Sequence, residues 1–381
     1  MRVTDTTTAQ PAGAVTRHLR IRTHHPLRLI TASTGSDALV SETFWPPGML
    51  GVTAVDRASR PELTVVDLVR EPADIAALLD DAAATGTAGD FELTRGYRQP
   101  RHDGATWTVF TLRDVNADEV AALVRSEDRL TLVRPPTGLG DRWLTRIVRD
   151  IATRIAKAEG SLVLHSSAFV HAGGAYLVIG DSGAGKSTTA VALARLLPDA
   201  GWMGNDRMHL DRHTDGYEVT ACPLPLAINK GSLDVMGVTD FASWPIRAGL
   251  PAPGSDWDQL HGEDKLKLSS QEVHRHLAVP VVPRAELAGV ILPSIDLTAD
   301  YSFAPADPGH TAGVVRRNCF SLDDNLYGED WLGVPVRDRT EPPSVDAFLG
   351  HLAKLPVLRC TVTGAADVAR LADDFRAAVR R

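Results

Sequence analysis

Residues 180–187 constrain this chain more than any other stretch: Gly-Asp-Ser-Gly-Ala-Gly-Lys-Ser satisfies G-x-x-x-x-G-K-S/T through Gly180, Gly185, Lys186 and Ser187. With 31 glycines and six lysines in 381 residues, an accidental match is expected in about one chain in 200 of this composition. The flanks are those the motif needs. An apolar run, Ala175–Ile179, precedes it, and Thr188–Leu197, rich in alanine and leucine, follows. Strand, loop and helix in that order commit the surrounding chain to α/β structure. The glycines let successive backbone N–H groups line an anion nest that ends at a helix N-terminus.

The residues in contact with a bound nucleotide are therefore Gly180, Asp181, Ser182, Gly183, Ala184, Gly185, Lys186, Ser187 and Thr188. Lys186 suits the β- and γ-phosphates of ATP, and the Ser187 hydroxyl suits Mg²⁺. A second signature would name the nucleotide or the output. The nearest string to a guanine-specificity Asn-Lys-x-Asp is Asn229-Lys230-Gly231-Ser232, which lacks the acid. No LSGGQ-like signature occurs, and Val290–Asp296 ends in Asp296 with no second acid. What does occur is Asn205-Asp206, directly after the short strand expected beyond the loop's helix. At the carboxyl edge of a parallel sheet that position faces the phosphates, where an aspartate can hold magnesium or accept a hydroxyl proton. His165 lies 15 residues before Gly180 on an apolar run, and strand pairing would bring it near the loop. A histidine there is either a catalytic neighbour or a satisfied core residue; His171 reads as structure.

The rest of the chain organises around this centre. Residues 1–135 form a smaller mixed α+β domain. Leu19–Ile30, Pro61–Val69 and Trp107–Val115 read as strands, while Ala73–Gly86 and Asn116–Glu127 have helical spacing. Arg134-Pro-Pro-Thr-Gly138 is the expected linker. The domain that follows, 136–381, opens with a helix whose apolar stripe is Trp143, Leu144, Ile147, Ile151 and Ile155 and which ends at Gly160. A buried hairpin follows over 161–180, then the loop, its helix, an Asp215-Gly216 turn, strands over 284–295 and 355–364, and a closing helix from Ala365. Residues 231–275 are irregular; Lys265 and Lys267 project to one face there if extended. Arg316-Arg317 is a candidate for neutralising phosphate charge, and Asp323-Asp324 reads as a loop.

Composition removes several classes. A net charge of −8 opposes a protein that grips nucleic-acid phosphates. Cys222, Cys319 and Cys360 are too few and too scattered for a disulfide framework and fit a reducing cytoplasm. The first 23 residues carry arginines and no apolar core of export-signal length. The longest uncharged stretch, Ser161–Gly180, holds two histidines and a Gly-Gly break that are expensive in hydrocarbon. A soluble, cytoplasmic protein with no nucleic-acid or membrane partner is expected.

Taken together, Leu164-His165-Ser166, Gly180–Ser187 and Asn205-Asp206 resemble the catalytic domain of HPr kinase/phosphorylase and its relatives, which share a P-loop architecture with phosphoenolpyruvate carboxykinases. The resemblance is specific over about 161–212 and loose beyond. It implies that His165 and Asp206 flank the transferred phosphate, with Lys186, and that Asp206, Asn205 and Ser187 form the magnesium side. Where the bacterial enzyme has two aspartates this chain has Asn205 then Asp206, and an amide cannot act as a general base. Thr188 replaces a residue usually acidic there. These departures point away from HPr itself and towards the divergent relatives that accompany natural-product and modified-peptide pathways. The expected function is ATP- and Mg²⁺-dependent transfer of phosphate to a hydroxyl of a peptide, protein or small molecule. Association with further copies of the chain is compatible with that. The alternative is a nucleotide-dependent switch or scaffold that binds ATP and a partner without phosphorylating anything. Carboxykinase-like chemistry would need further metal ligands.

Overall fold

Strand-forming runs dominate the first third of the chain, and they assemble into one sheet. The computed structural model describes residues 1–22, 25–55, 63–94, 96–113, 119–238, 240, 241, 244, 265–296, 298–321, 330–334 and 344–380. Over these the protein is mixed α/β. It divides into one unit of Met1–Glu159 with Asp324–Arg339 and a second of Gly160–Asp323 with Thr340–Arg381. The first unit contains β1 (Val15–Ile21), β2 (His25–Thr31), β3 (Val52–Val55), β4 (Leu63–Val69), β5 (Thr87–Thr94), β6 (Tyr97–Asp103), β7 (Thr108–Arg113), β8 (Val120–Ser126) and β9 (Arg129–Arg134). Their order is β3-β1-β2-β4-β9-β8-β7-β6-β5, with β2–β4 and β4–β9 parallel. Around the sheet lie α1 (Val3–Thr6), α2 (Thr34–Thr43), α3 (Pro72–Thr85) and α4 (Gly138–Ala158). Helix α3 starts on Pro72, which costs nothing at a position without an intrahelical N–H partner, and buries Ile75, Leu78 and Ala82 in a cluster with Val66, Leu68, Val109, Val124 and Val133.

Two expectations need correction here. The helix expected over Asn116–Glu127 is instead strand β8, paired antiparallel to β7 and β9. Ala121–Val124 are all buried, and a short run buried on both faces satisfies helical and strand spacing alike. Alanine's helix propensity is a few tenths of a kcal/mol, roughly, and the ladder overrides it. Residues 114–118 lie outside the described residues.

The domain boundary also moves, from 135/136 to Glu159/Gly160. Arg134 is no linker residue: it ends β9 at 2% exposure, with Nε 2.6 Å and Nη2 3.0 Å from the Asp67 carboxylate and Nη2 2.9 Å from Ser36 Oγ. The stripe Trp143, Leu144, Ile147, Ile151 and Ile155 is buried as its spacing predicts, and α4 belongs to the first unit. Gly160, at φ +94°, closes the helix in the left-handed region. Trp331, much later in sequence, joins the same unit against Phe91 and Phe110.

The second unit contains β10 (Leu162–Leu164), β11 (Ser166–His171), β12 (Gly174–Ile179), β13 (Ala200–Gly204), β14 (Met208–Arg212), β15 (Tyr217–Ala221), β16 (Leu226–Ile228), β17 (Leu266–Leu268), β18 (Arg284–Ile295), β19 (Ser302–Pro305) and β20 (Val357–Val362). Its helices are α5 (Lys186–Leu196), α6 (Lys230–Val235), α7 (Ser270–Leu277), α8 (Pro308–Arg317), α9 (Val345–Leu352) and α10 (Ala365–Val379). The main sheet runs β10-β14-β15-β18-β12-β11-β13, with β20 added to the far half of β18. The expected hairpin is β11–β12, and the Asp215-Gly216 turn joins β14 to β15. The sheet is mixed: antiparallel β11 stands between β12 and β13. Because it is antiparallel to both, they run the same way, and with parallel β18 their carboxyl ends share one edge. The β11–β13 ladder shifts register between Ala168↔Gly204 and Phe169↔Trp202. Helix α5 packs on this sheet through Ala190–Ala194, all buried. Among the described residues no helix is long and apolar enough to cross a membrane.

Candidate functional site

At the shared carboxyl edge, β12 ends at Ile179, Gly180 follows, and the chain turns into α5 at Lys186. Gly185 holds φ +89° at the N-cap, a conformation that favours glycine, and a Cβ there would lie 2.5 Å from Ile295 Cδ1, so that exposed side chain would have to swing aside. Asp181, Ser182 and Gly183 are exposed, whereas Lys186 is 9% exposed. Its Nζ donates to the carbonyls of Gly180 (2.8 Å) and Asp181 (3.1 Å). Burial lowers the Lys186 pKa below the ordinary lysine value, while Asp206 and Asp181 pull it back up and Lys265 opposes them.

The two residues after β13 divide their work. Asn205 is 7% exposed; its Nδ2 donates to Pro225 O at 3.2 Å, which turns Oδ1 towards the loop. There Oδ1 accepts from the Ser187 hydroxyl and, at 3.4 Å, from that of Ser167 on β11; the two serine oxygens are 3.4 Å apart. Asp206 turns the other way, at φ +69°, a region that aspartate tolerates better than most residues. Its Oδ1 is 3.4 Å from His165 Nε2 and its Oδ2 3.4 Å from Arg207 Nε. Asn205, not Asp206, thus meets the Ser187 hydroxyl. These three neutral oxygens are hard donors of the kind Mg²⁺ accepts when phosphates supply most of the charge, so Ser187, Asn205 and Ser167 suit that ion bound with ATP. Among the described residues no three His, Cys, Asp or Glu side chains cluster as metal ligands.

His165 sits at the junction of β10 and β11, and the pairing of β10 with β14 carries it to Asp206. Its N–H donates to Asn318 O at 2.7 Å, and its ring stacks on Phe320 with centroids 5.3 Å apart and planes 14° from parallel. His171 is a structural residue, its Nδ1 3.1 Å from Pro198 O. Of the arginine pair, Arg317 reaches the loop, Nη2 lying 3.4 Å from Asp181 Oδ2, while Arg316 pairs with Asp346. Lys265 is close enough to oppose the Lys186 charge; Lys267 is exposed on β17, whose Leu266 and Leu268 are buried. Asn229 caps α6, and Ser232 Oγ links it (2.7 Å) to Thr188 Oγ1 (2.7 Å). Asp296 folds back on Thr298 just past β18. Asp323-Asp324 and 245–264 lie outside the described residues.

Sequence reasoning passed over Ser167, Phe320, Asn318 and Arg207. A serine inside an apolar strand was the only available signal for Ser167, and nothing local marks the others. Compared with known proteins, the chain matches no protein-family model and no curated protein.

Proposed function

We propose that the protein is an ATP-dependent phosphotransferase of the HPr-kinase-like kind, acting in the cytoplasm on a hydroxyl of a peptide, protein or small molecule. One observation carries this reading. At one sheet edge a glycine-rich nest with Lys186, the oxygen set of Ser187, Asn205 and Ser167, and the Asp206–His165 pair converge. The nest and Lys186 bind the β- and γ-phosphates. Mg²⁺, bound with ATP, would neutralise phosphate charge beside Ser187 and Asn205. Asp206, which the Asn205 amide leaves as the carboxylate here, receives the proton of the acceptor hydroxyl. The acceptor oxygen bonds to the γ-phosphorus as the bond from that phosphorus to the β–γ bridging oxygen breaks, and ADP leaves with the electron pair. His165, fixed by Phe320, holds the Asp206 carboxylate in line. In phosphoryl transfer the protein mainly positions groups and neutralises charge, so this short roster suffices.

The amide at Asn205 favours one competing view, a nucleotide switch with no acceptor, because a metal shell without a carboxylate suits slow turnover. Purified protein incubated with γ-labelled ATP and Mg²⁺, alone and with fractionated extract of the source organism, separates the two. Label entering a peptide or metabolite with wild type, and not with Lys186→Ala or Asp206→Asn, establishes the kinase. Asp206→Asn should lower turnover by about 10²–10⁴ while ATP still binds. Bound ATP with neither labelled acceptor nor hydrolysis above these variants moves the protein to the switch class.

A further inference from the structure

Two cations converge on one loop residue. Asp181 offers its carbonyl to Lys186 Nζ at 3.1 Å and its carboxylate to Arg317 Nη2 at 3.4 Å. The first contact is partly buried. The second is open, with Arg317 57% and Asp181 65% exposed, and an ion pair so exposed contributes little and exchanges partners readily. A guanidinium is the side chain best shaped to take two oxygens of a phosphate at once.

Arg317 is also built into the site and is not a passing surface group. It is the last residue of α8, and the four residues after it are stitched to β10 and its junction. Asn318 O accepts from His165 N–H, Cys319 bridges Leu164, Phe320 N–H donates to Val163 O at 2.9 Å, and Val163 N–H donates to Ser321 Oγ at 2.8 Å. The segment that fixes His165 therefore also fixes where Arg317 starts. Arg316, one residue earlier, is committed to Asp346 on α9.

We propose that Arg317 is a γ-phosphate sensor: when ATP enters, its guanidinium leaves the Asp181 carboxylate and takes the terminal phosphate oxygens. It thereby separates ATP from ADP and neutralises charge on the phosphoryl group in flight. No bond to Arg317 forms or breaks. This rests on the nucleotide site proposed above, though not on the existence of an acceptor.

The test is calorimetric affinity of the full chain for Mg·ATP and for Mg·ADP. Arg317→Ala should weaken ATP about tenfold, equivalent to about 1.4 kcal/mol, and leave ADP within about twofold. Arg317→Lys should recover part of the loss, and Arg316→Ala should change neither affinity. Arg317→Gln, close in size, serves if the alanine variant unfolds. Equal weakening of ATP and ADP, or no change in either, overturns the proposal. Wild type that binds neither nucleotide sinks both the sensor and the kinase. An ATP-selective loss in a protein that labels no acceptor upholds the sensor and sinks the kinase alone.

Discussion

Replacing Asn205 by aspartate sets a second acid beside Asp206, and the structure says what that does. The amide is 7% exposed and uses both its ends: Nδ2 donates to Pro225 O at 3.2 Å, Oδ1 accepts from Ser187 and Ser167. A carboxylate keeps the second function and loses the first. The lost hydrogen bond is worth about 1 kcal/mol, and a buried carbonyl left facing an oxygen adds about 1–3 kcal/mol. Two hydroxyls donating to a charged acceptor return about 1 kcal/mol, so Asn205→Asp should destabilise by about 2 kcal/mol net. For a cooperative unit of this size that lowers Tm by about 4–8 °C. The loss carries a pH signature. The Pro225 carbonyl favours the protonated, donating acid, so the new carboxyl has a folded pKa above its unfolded value of about 3.9. Such a group's contribution is fully present below the unfolded pKa and is lost as pH rises through the folded one. Thermal unfolding without nucleotide should therefore show a small deficit in mild acid and the full deficit at neutral pH. Less Mg²⁺ should be needed for half-maximal ATP binding, since the ion gains a charged partner. A variant as stable as wild type at neutral pH, or one whose deficit grows on acidification, refutes the reasoning.

Three further outcomes are expected. Asp67→Ala leaves the Arg134 guanidinium charged and buried, and urea unfolding should show a loss of about 3–5 kcal/mol in the first unit, most of it recovered when Asp67→Leu is combined with Arg134→Met. Gly185→Ala should abolish ATP binding in calorimetry, and adding Ile295→Ala should restore part of it by removing the 2.5 Å clash while leaving the φ +89° strain. Burial pushes the Cys360 thiol up to about 12, so iodoacetamide should label it only on unfolding. Having a folded pKa raised above the ordinary thiol value, Cys360 contributes stability below that value that is lost as pH climbs towards about 12, and alkaline unfolding of Cys360→Ala should be correspondingly shallower.

What the sequence disclosed was local. The strand, loop and helix around Gly180–Ser187, the α4 stripe and the β11–β12 hairpin each depend on neighbours within a few turns or one ladder, and period and turn residues encode those directly. Strand β8 misled because its central residues Ala121–Val124 are buried on both faces, which erases the alternation that separates a strand from a helix. The site's supporting members were hidden for a different reason. Ser167 reaches Asn205 across 38 residues, and Phe320 stacks on His165 from the segment that follows α8. None of those pairings leaves a trace in spacing; only the fold creates them.

The register shift in the β11–β13 ladder has a consequence for which chemistry this edge can run. Carried straight on from Phe169↔Trp202, the ladder would set Gly204 opposite Ser167 and turn Asn205 to the other face of the sheet. The one extra residue, Met203, advances β13 so that the pairing resumes at Ala168↔Gly204 and Asn205 comes round to Ser167 and Ser187. The bulge is thus the selector that assigns the amide to the hydroxyls and sends Asp206 to His165. Two adjacent polar residues of nearly equal size receive opposite roles from a single unpaired methionine.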